Sequence, residues 1–338
     1  MTQPATRSDP ESRITVAAHA DDAVREWQGG AAIQALEAGL VRSRLGRRPG
    51  TAWIDLTAPD AALVGRVAGL LGLHELIAED IVEGNQRSKI EATDGLVHIV
   101  LFALDFGDSI RTHEIDIVLG EGFLLTSHPA DWDPRTGTHF RAGLGPILKA
   151  GPDHLLWAVF DMIVDAYFPF ADRVEDEIDE IQDNVMGRAD RATLARVFEL
   201  KRDLITVRRA VSPVREVLNQ LTNRDLDLID SDEIIYFRDI YDHVIRLTDE
   251  LDNDRELVTA TLDVYLSQVN NNLSAIMKRL TGVTVILAGI GAIAGIFGMS
   301  EAGLAFSGGE AIGFWVVTLT TVVAAALVAF VLRRIDWI

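Results

Sequence analysis

LTGVTVILAGIGAIAGIFGMS (residues 280–300) and AIGFWVVTLTTVVAAALVAFVL (residues 311–332) are two apolar runs without a charged residue near the end of the chain. Each has the roughly 20 residues that an α-helix needs to cross a bilayer. A short loop, 301–310, separates them. The sequence therefore predicts a first transmembrane helix over 281–300 and a second over 311–332.

Basic residues flank both runs on the same side. Lys278 and Arg279 precede the first run, Arg333 and Arg334 follow the second, and the loop has neither Lys nor Arg. Because Lys and Arg favour the cytoplasmic side of a membrane, both termini are predicted to be cytoplasmic. The start of the chain is polar and lacks the apolar segment of a cleaved signal peptide. We therefore expect a multi-pass protein embedded in the lipid bilayer of the cell membrane, with most of its mass inside the cell.

The region before the spans is strongly acidic. The chain has a net charge of −20, nearly all of it before residue 281. Such a region attracts cations and binds nucleic acid poorly, although excess acid can also simply aid solubility. The chain has no Cys, and its 8 His never fall at a ligand spacing such as HxxxH. Neither a disulfide nor a built-in tight zinc site is expected.

Residues 1–152 mix short strand and helix patterns, which predict a compact cytoplasmic α/β domain. The predicted strands are Ala52–Leu56, Leu96–Leu104, Glu114–Leu119 and Phe123–Thr126, and the predicted helices are Asp60–Leu71 and Glu75–Glu83. No GxxxxGK or GxGxxG pattern follows a strand, and the sequence has no nucleophile–base constellation. We therefore expect neither nucleotide binding nor enzymatic activity.

Residues 153–280 read as a helical stalk. The first stalk helix carries seven acidic residues over Asp172–Asp183, with Val174, Ile178 and Ile181 as its buried stripe. Such a charged run is most simply a solvated helix face. A second helix is predicted over 191–221, with a kink at Pro213.

The third stalk helix is predicted to begin near Ser231, where Asp230 and Glu233 have the spacing of a capping box. No Pro or Gly occurs between Val214 and Thr281, so this helix should continue through the first span, about 100 Å in all. Apolar residues recur along it at mostly three- and four-residue spacing, as helix bundling requires: Ile240, Val244, Leu247, Leu251, Val258, Leu262, Leu266, Val269, Leu273, Ile276 and Leu280.

Small and polar residues follow one face of this helix into the membrane. They are Ser274, Met277, Thr281, Thr284, Ala288, Gly291, Gly295 and Gly298. This face is either a close-packing surface, because Gly291 and Gly295 have the small-xxx-small spacing, or the lining of a pore around which several chains assemble. Two spans cannot enclose a pathway, so a pore requires oligomerisation.

A pore of this composition has no carboxylate, thiol or imidazole, so it cannot cheaply remove the water shell of a divalent ion. It suits an ion that passes hydrated, and Mg²⁺ is the common cation most reluctant to lose its water. Met277 and Leu280 lie one turn apart at the cytoplasmic mouth. They are either a hydrophobic constriction that gates the pore by dewetting or ordinary packing residues.

Several further segments match one known family in order along the chain. They are Trp53–Leu56, His74–Asp80, Gln86–Lys89, Gly151–His154, Tyr236–His243, Leu262–Ser267, Met277–Leu280, Ala294–Met299 and the closing basic-Trp-Ile. In these segments the chain resembles the CorA family of divalent-cation channels, within the two-span GxN superfamily. The matches span nearly the whole chain, which makes the resemblance far more specific than a single motif.

The resemblance implies a homopentamer with a funnel-shaped cytoplasmic α/β domain, a stalk of long helices and a central pore made by the first span. It implies gated, passive transport of divalent cations, foremost Mg²⁺, and cytoplasmic metal sensing. Met277 and Leu280 match the hydrophobic gate of the family. Asp80, with Glu79 beside it, and Asp239 match acidic positions where regulatory Mg²⁺ bridges adjacent subunits and holds the channel closed. Asp263 matches a further acidic position on the stalk.

The outer mouth departs from the family signature. Gly298-Met299-Ser300 replaces Gly-Met-Asn, and Ser274 stands at a second position where the family has Asn. The short Gly-rich loop that begins at Glu301 is similar to that of the zinc-transporting ZntB branch. The transported ion is therefore open between Mg²⁺ and Zn²⁺, Co²⁺ or Ni²⁺, and a non-conducting, metal-sensing membrane scaffold is the alternative to a transporter.

Overall fold

The computed structural model describes residues 12–20, 23–40, 51–93, 95–106, 110–187, 190–223, 226–299, 310–334 and 337. These residues belong to two compact units. The first unit comprises residues 1–180 and 196–258, and the second comprises residues 181–195 and 259–338.

A seven-stranded mixed sheet forms the centre of the first unit. Its strands are β1 (Arg13–Ala20), β2 (Ala23–Gln28), β3 (Ala52–Thr57), β4 (Lys89–Thr93), β5 (Leu96–Phe106), β6 (Ile110–Gly120) and β7 (Phe123–His128). They lie in the order β2-β1-β3-β7-β6-β5-β4. The β3–β7 pair is parallel, with Ile54 opposite Leu125, and the other described pairs are antiparallel.

Helices cover both faces of this sheet. The first five helices are α1 (Gly30–Glu37), α2 (Ala61–Leu71), α3 (Glu75–Glu83), α4 (Gly145–Ala150) and α5 (Pro152–Asp165). Residues of α1, α2 and α3 share one buried cluster with Ile54 and Leu125. Side chains alternate across a strand, so the neighbouring Trp53 and Leu124 face the opposite side. Helix α5 packs against β5, β6 and β7.

The strands and helices predicted for the α/β domain are all present, whereas β1, β2, β4 and α1 are not predicted by the sequence patterns. Strand β1 reads RITVAAHA, and Ala has a low strand propensity. Strands β2 and β4 lie at the two edges of the sheet and are mostly exposed. Edge strands of this kind lack the apolar alternation on which strand prediction depends.

Four further helices complete the chain: α6 (Phe168–Gly187), α7 (Arg191–Asn223), α8 (Ile234–Met299) and α9 (Glu310–Arg334). The acidic helix α6 buries Val174, Ile178 and Ile181, as predicted. Helix α7 continues through Pro213 without an interruption. Helix α8 has 66 residues, which confirms the long third helix.

The predicted capping box at the start of α8 is wrong. The helix begins at Ile234, and Glu233 instead lies with a carboxylate oxygen 3.0 Å from Nδ1 of His154. The backbone N–H of Asp230 donates to Oδ2 of the buried Asp153, also at 3.0 Å. The carboxylates of this turn and of α5 therefore join the two helices rather than satisfy the first turn of α8, because a nearby imidazole competes for Glu233.

Helix α8 changes its surroundings along its length. In the first unit its apolar stripe is buried at Ile240, Val244, Leu247, Leu251 and Val258. In the second unit Thr261 accepts a hydrogen bond from Gln182 of α6. Beyond Tyr265 the apolar residues of the stripe are exposed: Leu266, Val269, Leu273, Ile276 and Leu280.

Two described helical segments are long and apolar enough to span a membrane. In Pro152–Gly187, 56 % of the apolar stretch is buried, as in the core of a soluble domain, whereas in Ile234–Ile296 only 6 % is buried. Helix α9 has no charged residue over 311–332. An α/β domain, a long helix and two apolar helices at the end of the chain therefore confirm the predicted fold class.

A buried carboxylate on α8 makes stability depend on pH. Asp254 is buried, and its Oδ2 has no hydrogen-bond partner in the described part of the chain. Burial, reinforced by the charges of Glu250 and Glu175, raises the pKa of Asp254 to about 6. Because the folded-state pKa of about 6 lies above the ordinary value of 3.8, the contribution of this acid to stability is fully present below pH 3.8 and is lost as the pH rises from there through about 6.

We therefore predict that Asp254→Asn raises the melting temperature of the detergent-solubilised protein at pH 8 and raises it much less at pH 4, close to the ordinary pKa of 3.8. The expected gain at pH 8 is roughly 1–3 kcal/mol, because each unit of pKa shift is worth about 1.4 kcal/mol. Asp249→Asn, at an exposed acid of the same helix, is the control. Equal gains at both pH values would contradict the prediction.

Candidate functional site

The small and polar face of α8 is exposed along its described length. Its members there are Ser274, Met277, Leu280, Thr281, Thr284, Ala288, Gly291 and Gly295. A Cβ atom added at Gly291 or Gly295 would meet no atom within 4 Å outside the adjacent turns of the helix. Packing against the described part of the chain therefore does not require glycine at these two positions. The face remains open to either interpretation made from the sequence, a close-packing surface or the lining of a pore.

Thr284 presents hydrogen-bond acceptors on this face. Its hydroxyl donates to the carbonyl oxygen of Leu280, 2.8 Å away. The hydroxyl proton is thereby used within the helix, and the lone pairs of the oxygen remain to accept hydrogen bonds. The water molecules around a hydrated cation donate such bonds, so this face suits a hydrated cation.

The predicted gate and outer mouth lie at opposite ends of this face. Met277 and Leu280 are exposed and one turn apart, and no described part of the chain covers them. At the other end the structure describes the helical backbone of Gly298 and Met299. Ser300 and Glu301 lie outside the described residues.

The predicted regulatory acids Asp80 and Glu79 lie on α3. The carboxylate Oδ2 of Asp80 is 2.6 Å from Nζ of Lys89. Glu79 is exposed. Asp80 therefore already has one cationic partner, the side chain of a residue on β4.

The other two predicted regulatory acids lie on α8. Asp239 is largely exposed, and its Oδ2 lies 3.9 Å from Nε2 of His243. Asp263 is also exposed. In the described part of the chain no hydrogen bond or ion pair joins Asp80 to Asp239, so their pairing across adjacent subunits stays a prediction.

A group of metal-ligating side chains that the sequence patterns did not reveal lies beside Asp239. Asp161 and Asp165 of α5 and His243 of α8 each offer a ligand atom within 4.8 Å of the others. Burial, and then the charge of Asp161, raise the pKa of Asp165. The signal was present as two i,i+4 pairs, Asp161 with Asp165 and Asp239 with His243, because such pairs share one helix face. A search for HxxxH alone does not find them.

A second missed group lies on the sheet. His98 of β5 is buried, and its Nε2 lies 2.9 Å from Oδ1 of Asp116 on β6. Burial raises the pKa of the neighbouring Glu114 to about 7, although the backbone N–H of Gln86, which donates to this carboxylate, lowers it. The sequence feature that could have revealed this group is the presence of polar residues inside the apolar runs 96–104 and 114–119.

Comparisons with known proteins agree with this architecture. A model of the CorA-like Mg²⁺ transporter protein family matches residues 49–334. The cobalt/magnesium transport protein CorA of Thermotoga maritima is 34 % identical over 255 residues, which are 73 % of this chain and 72 % of that protein. The cobalt/magnesium transport protein CorA of Methanocaldococcus jannaschii is 25 % identical over 289 residues, 85 % of this chain and 91 % of that protein.

The fold is also similar to a solved structure. The complete structure of the CorA magnesium transporter from Methanocaldococcus jannaschii superposes with a TM-score of 0.77 and 22 % identity, and the match covers 96 % of this chain and 98 % of that one. At this identity the likeness shows the fold alone. The match of the family model over most of the chain shows the family: this chain belongs to the CorA-like Mg²⁺ transporter proteins.

Proposed function

We propose that this chain carries divalent cations, foremost Mg²⁺, across the cell membrane through a gated pore lined by α8. The observation that carries the proposal is the exposed, uncharged face from Ser274 to Gly295, with small residues that packing inside the chain does not require. Membership of a family described as transporters supports the same function and gives no support to enzymatic activity.

In the proposed topology residues 1–152 are a cytoplasmic α/β domain and 153–280 a stalk. Residues 281–300 are the pore-lining span, 301–310 the outer loop, 311–332 the second span and 333–338 a cytoplasmic tail. The basic residues at 278, 279, 333 and 334 support this orientation.

The proposed mechanism keeps the water shell of the ion. Removing water from Mg²⁺ is costly, and the pore face offers hydroxyl and carbonyl oxygens rather than carboxylates. Hydrogen bonds from the hydrated ion to Thr284 and to backbone oxygens would hold it weakly enough to leave again. Met277 and Leu280 would close the path by excluding water at the cytoplasmic end.

A flux assay tests this function. Purified protein in liposomes with an internal Mg²⁺-sensitive dye should admit Mg²⁺ when the interior is made negative. Gly291→Leu should abolish most of the flux, because it fills the pore face. Gly289→Leu, about 120° from the centre of that face in helix geometry, is the matched control and should keep most of it. Equal loss in both variants would contradict a pore on this face, and no flux in the parent protein would favour a metal-sensing scaffold.

Ion competition in the same assay identifies the cargo. The proposal expects Mg²⁺ to be preferred over Zn²⁺, Co²⁺ and Ni²⁺, and Ser300→Asn to sharpen this preference, because a longer amide contacts the water shell of the ion more fully. Glu301 can instead attract cations as a ring of carboxylates. Faster flux of Zn²⁺ than of Mg²⁺ would support the alternative of a zinc, cobalt or nickel transporter.

The proposed assembly is a homopentamer around α8. The supporting observation is the row of exposed apolar residues between Leu266 and Ile276, which precede the predicted span. Exposed apolar rows at three- and four-residue spacing are the surfaces by which helices bundle. In this assembly the same row on neighbouring copies becomes buried.

We predict that Leu273→Glu reduces the mass of the solubilised particle from five chains to fewer. Burying an unpaired carboxylate between the helices of a bundle costs free energy and therefore opposes assembly. Asn271→Glu adds the same charge on another face of α8 and should leave the mass unchanged. Native mass spectrometry or light scattering in mild detergent measures this. A parent protein that is monomeric under gentle extraction would count against the pore.

Regulation is proposed to use Mg²⁺ as a bridge between subunits. The residues fit this ion, because Asp80, Glu79, Asp239 and Asp263 offer the carboxylate oxygens that Mg²⁺ prefers. Facing carboxylates repel one another until a cation neutralises them, so bound Mg²⁺ would favour the closed state.

We expect Asp80→Ala combined with Asp239→Ala to weaken the Mg²⁺-dependent protection of the cytoplasmic part from protease. Glu75→Ala with Asp249→Ala removes two exposed acids of the same helices and should leave protection intact. Digestion rates at low and high Mg²⁺ measure the effect. Unchanged protection in the first double variant would indicate that the sensing site lies elsewhere, such as on the acidic helix α6.

A further inference from the structure

Three side chains from different elements of the α/β domain converge on the face of the sheet near α3. They are Asp80 of α3, Glu91 of β4 and His98 of β5, and Glu91 is the direct cross-strand partner of His98. Each residue offers a ligand atom, and these atoms all lie within 4.8 Å of one another. Two carboxylates and one imidazole are thus close enough to share one ion.

The imidazole of His98 has a free nitrogen in a buried position. The side chain is 0 % exposed, and Nε2 lies 2.9 Å from Oδ1 of Asp116. Nδ1 has no hydrogen-bond partner among the residues that the structure describes. The carboxylate of Asp116 can only accept a hydrogen bond, so Nε2 of His98 carries the ring proton and donates it. Nδ1 then has an unused lone pair.

This pairing matches the way proteins prepare a histidine for a metal. A ligating His commonly donates its second ring N–H to a carboxylate, which fixes the tautomer and the orientation of the ring. Asp116 supplies that carboxylate to His98. A structural role alone would explain the Nε2 contact but leaves the buried Nδ1 unpaired.

The same place already holds a positive charge. Nζ of Lys89 lies 2.6 Å from Asp80 Oδ2 and 3.4 Å from Glu91 Oε1. The ammonium neutralises the two carboxylates, and among the described residues it makes no hydrogen bond to Nδ1 of His98. A divalent ion that also bonds to nitrogen would compete with Lys89 for these oxygens.

We propose that Asp80, Glu91 and His98 form a transition-metal site within a single chain, with His98 binding through Nδ1 and Asp116 positioning its ring. One nitrogen and two oxygen ligands suit Co²⁺, Ni²⁺ or Zn²⁺, whereas Mg²⁺ prefers oxygen alone. The site is independent of the pore. Because this site shares Asp80 with the proposed regulatory Mg²⁺ position, a transition metal bound here would also shift the equilibrium between the closed and open states.

The test is Co²⁺ binding to the full-length solubilised protein in excess Mg²⁺, which occupies oxygen-only sites. Calorimetry should detect Co²⁺ binding that excess Mg²⁺ weakens, because the two ions share Asp80, but does not abolish, and the visible absorption of Co²⁺ should report nitrogen coordination. Glu91→Gln should weaken this binding by about tenfold or more, comparable to or above the usual effect of residues that position a ligand. The side chain of Glu91 is 55 % exposed, so this variant should fold.

Three further variants make the result specific. His98→Gln should remove the nitrogen signal, and Lys89→Met should tighten Co²⁺ binding because it removes the competing charge. Glu75→Gln is the exposed control on α3 and should change nothing. The proposal is overturned if Co²⁺ binds equally to the parent protein and to Glu91→Gln, or if the signal disappears in His243→Gln instead, which would assign it to the group on α5 and α8. Mg²⁺ flux in liposomes is measured separately, so failure here leaves the transport proposal standing.

Discussion

The hydrogen bonds inside one helix are the constraint on which the rest of the molecule depends. A helix satisfies its own backbone groups, so it can continue from water or a protein core into lipid without leaving an N–H or C=O unpaired. Helix α8 does this for 66 residues. It needs no loop or cap between its two kinds of surroundings, and only its side chains change.

Those side chains change in a way that a single chain cannot explain. The apolar stripe is buried from Ile240 to Val258 but exposed from Leu266 to Leu280. The exposed part precedes the predicted span and lies among polar residues such as Asn270 and Asn271. In the proposed assembly neighbouring copies, rather than lipid, cover it. The same reasoning applies to Gly291 and Gly295, because no described residue of the chain packs closely enough against them to require their small size.

The helices and strands that were predicted from the sequence are those in which one buried face produces a regular spacing of apolar residues. Helix α6 is confirmed at Val174, Ile178 and Ile181 because a one-sided helix displays its period directly. Edge strands β2 and β4 were not predicted, because exposure on both faces removes the alternation.

The candidate sites divide in the same way. The proposed pore face is a pattern within a single helix and is visible in the sequence. The group around His98 depends on the pairing of Glu91 with His98 across two strands, and register cannot be read from composition. The capping box at Asp230 and Glu233 failed because the carboxylate of Glu233 pairs with the imidazole of His154, a residue far away in the sequence.

The hydroxyl of Thr284 has one more consequence for the proposed pore. Its single proton is held by the carbonyl of Leu280, so at this level each copy of the helix would turn only lone pairs of the side chain toward the axis. Chloride is stabilised by donors, and a ring of Thr284 oxygens would offer it none. In the proposed pore this ring would disfavour anions without any fixed negative charge, because the direction of one hydrogen bond decides which charge the hydroxyl can stabilise.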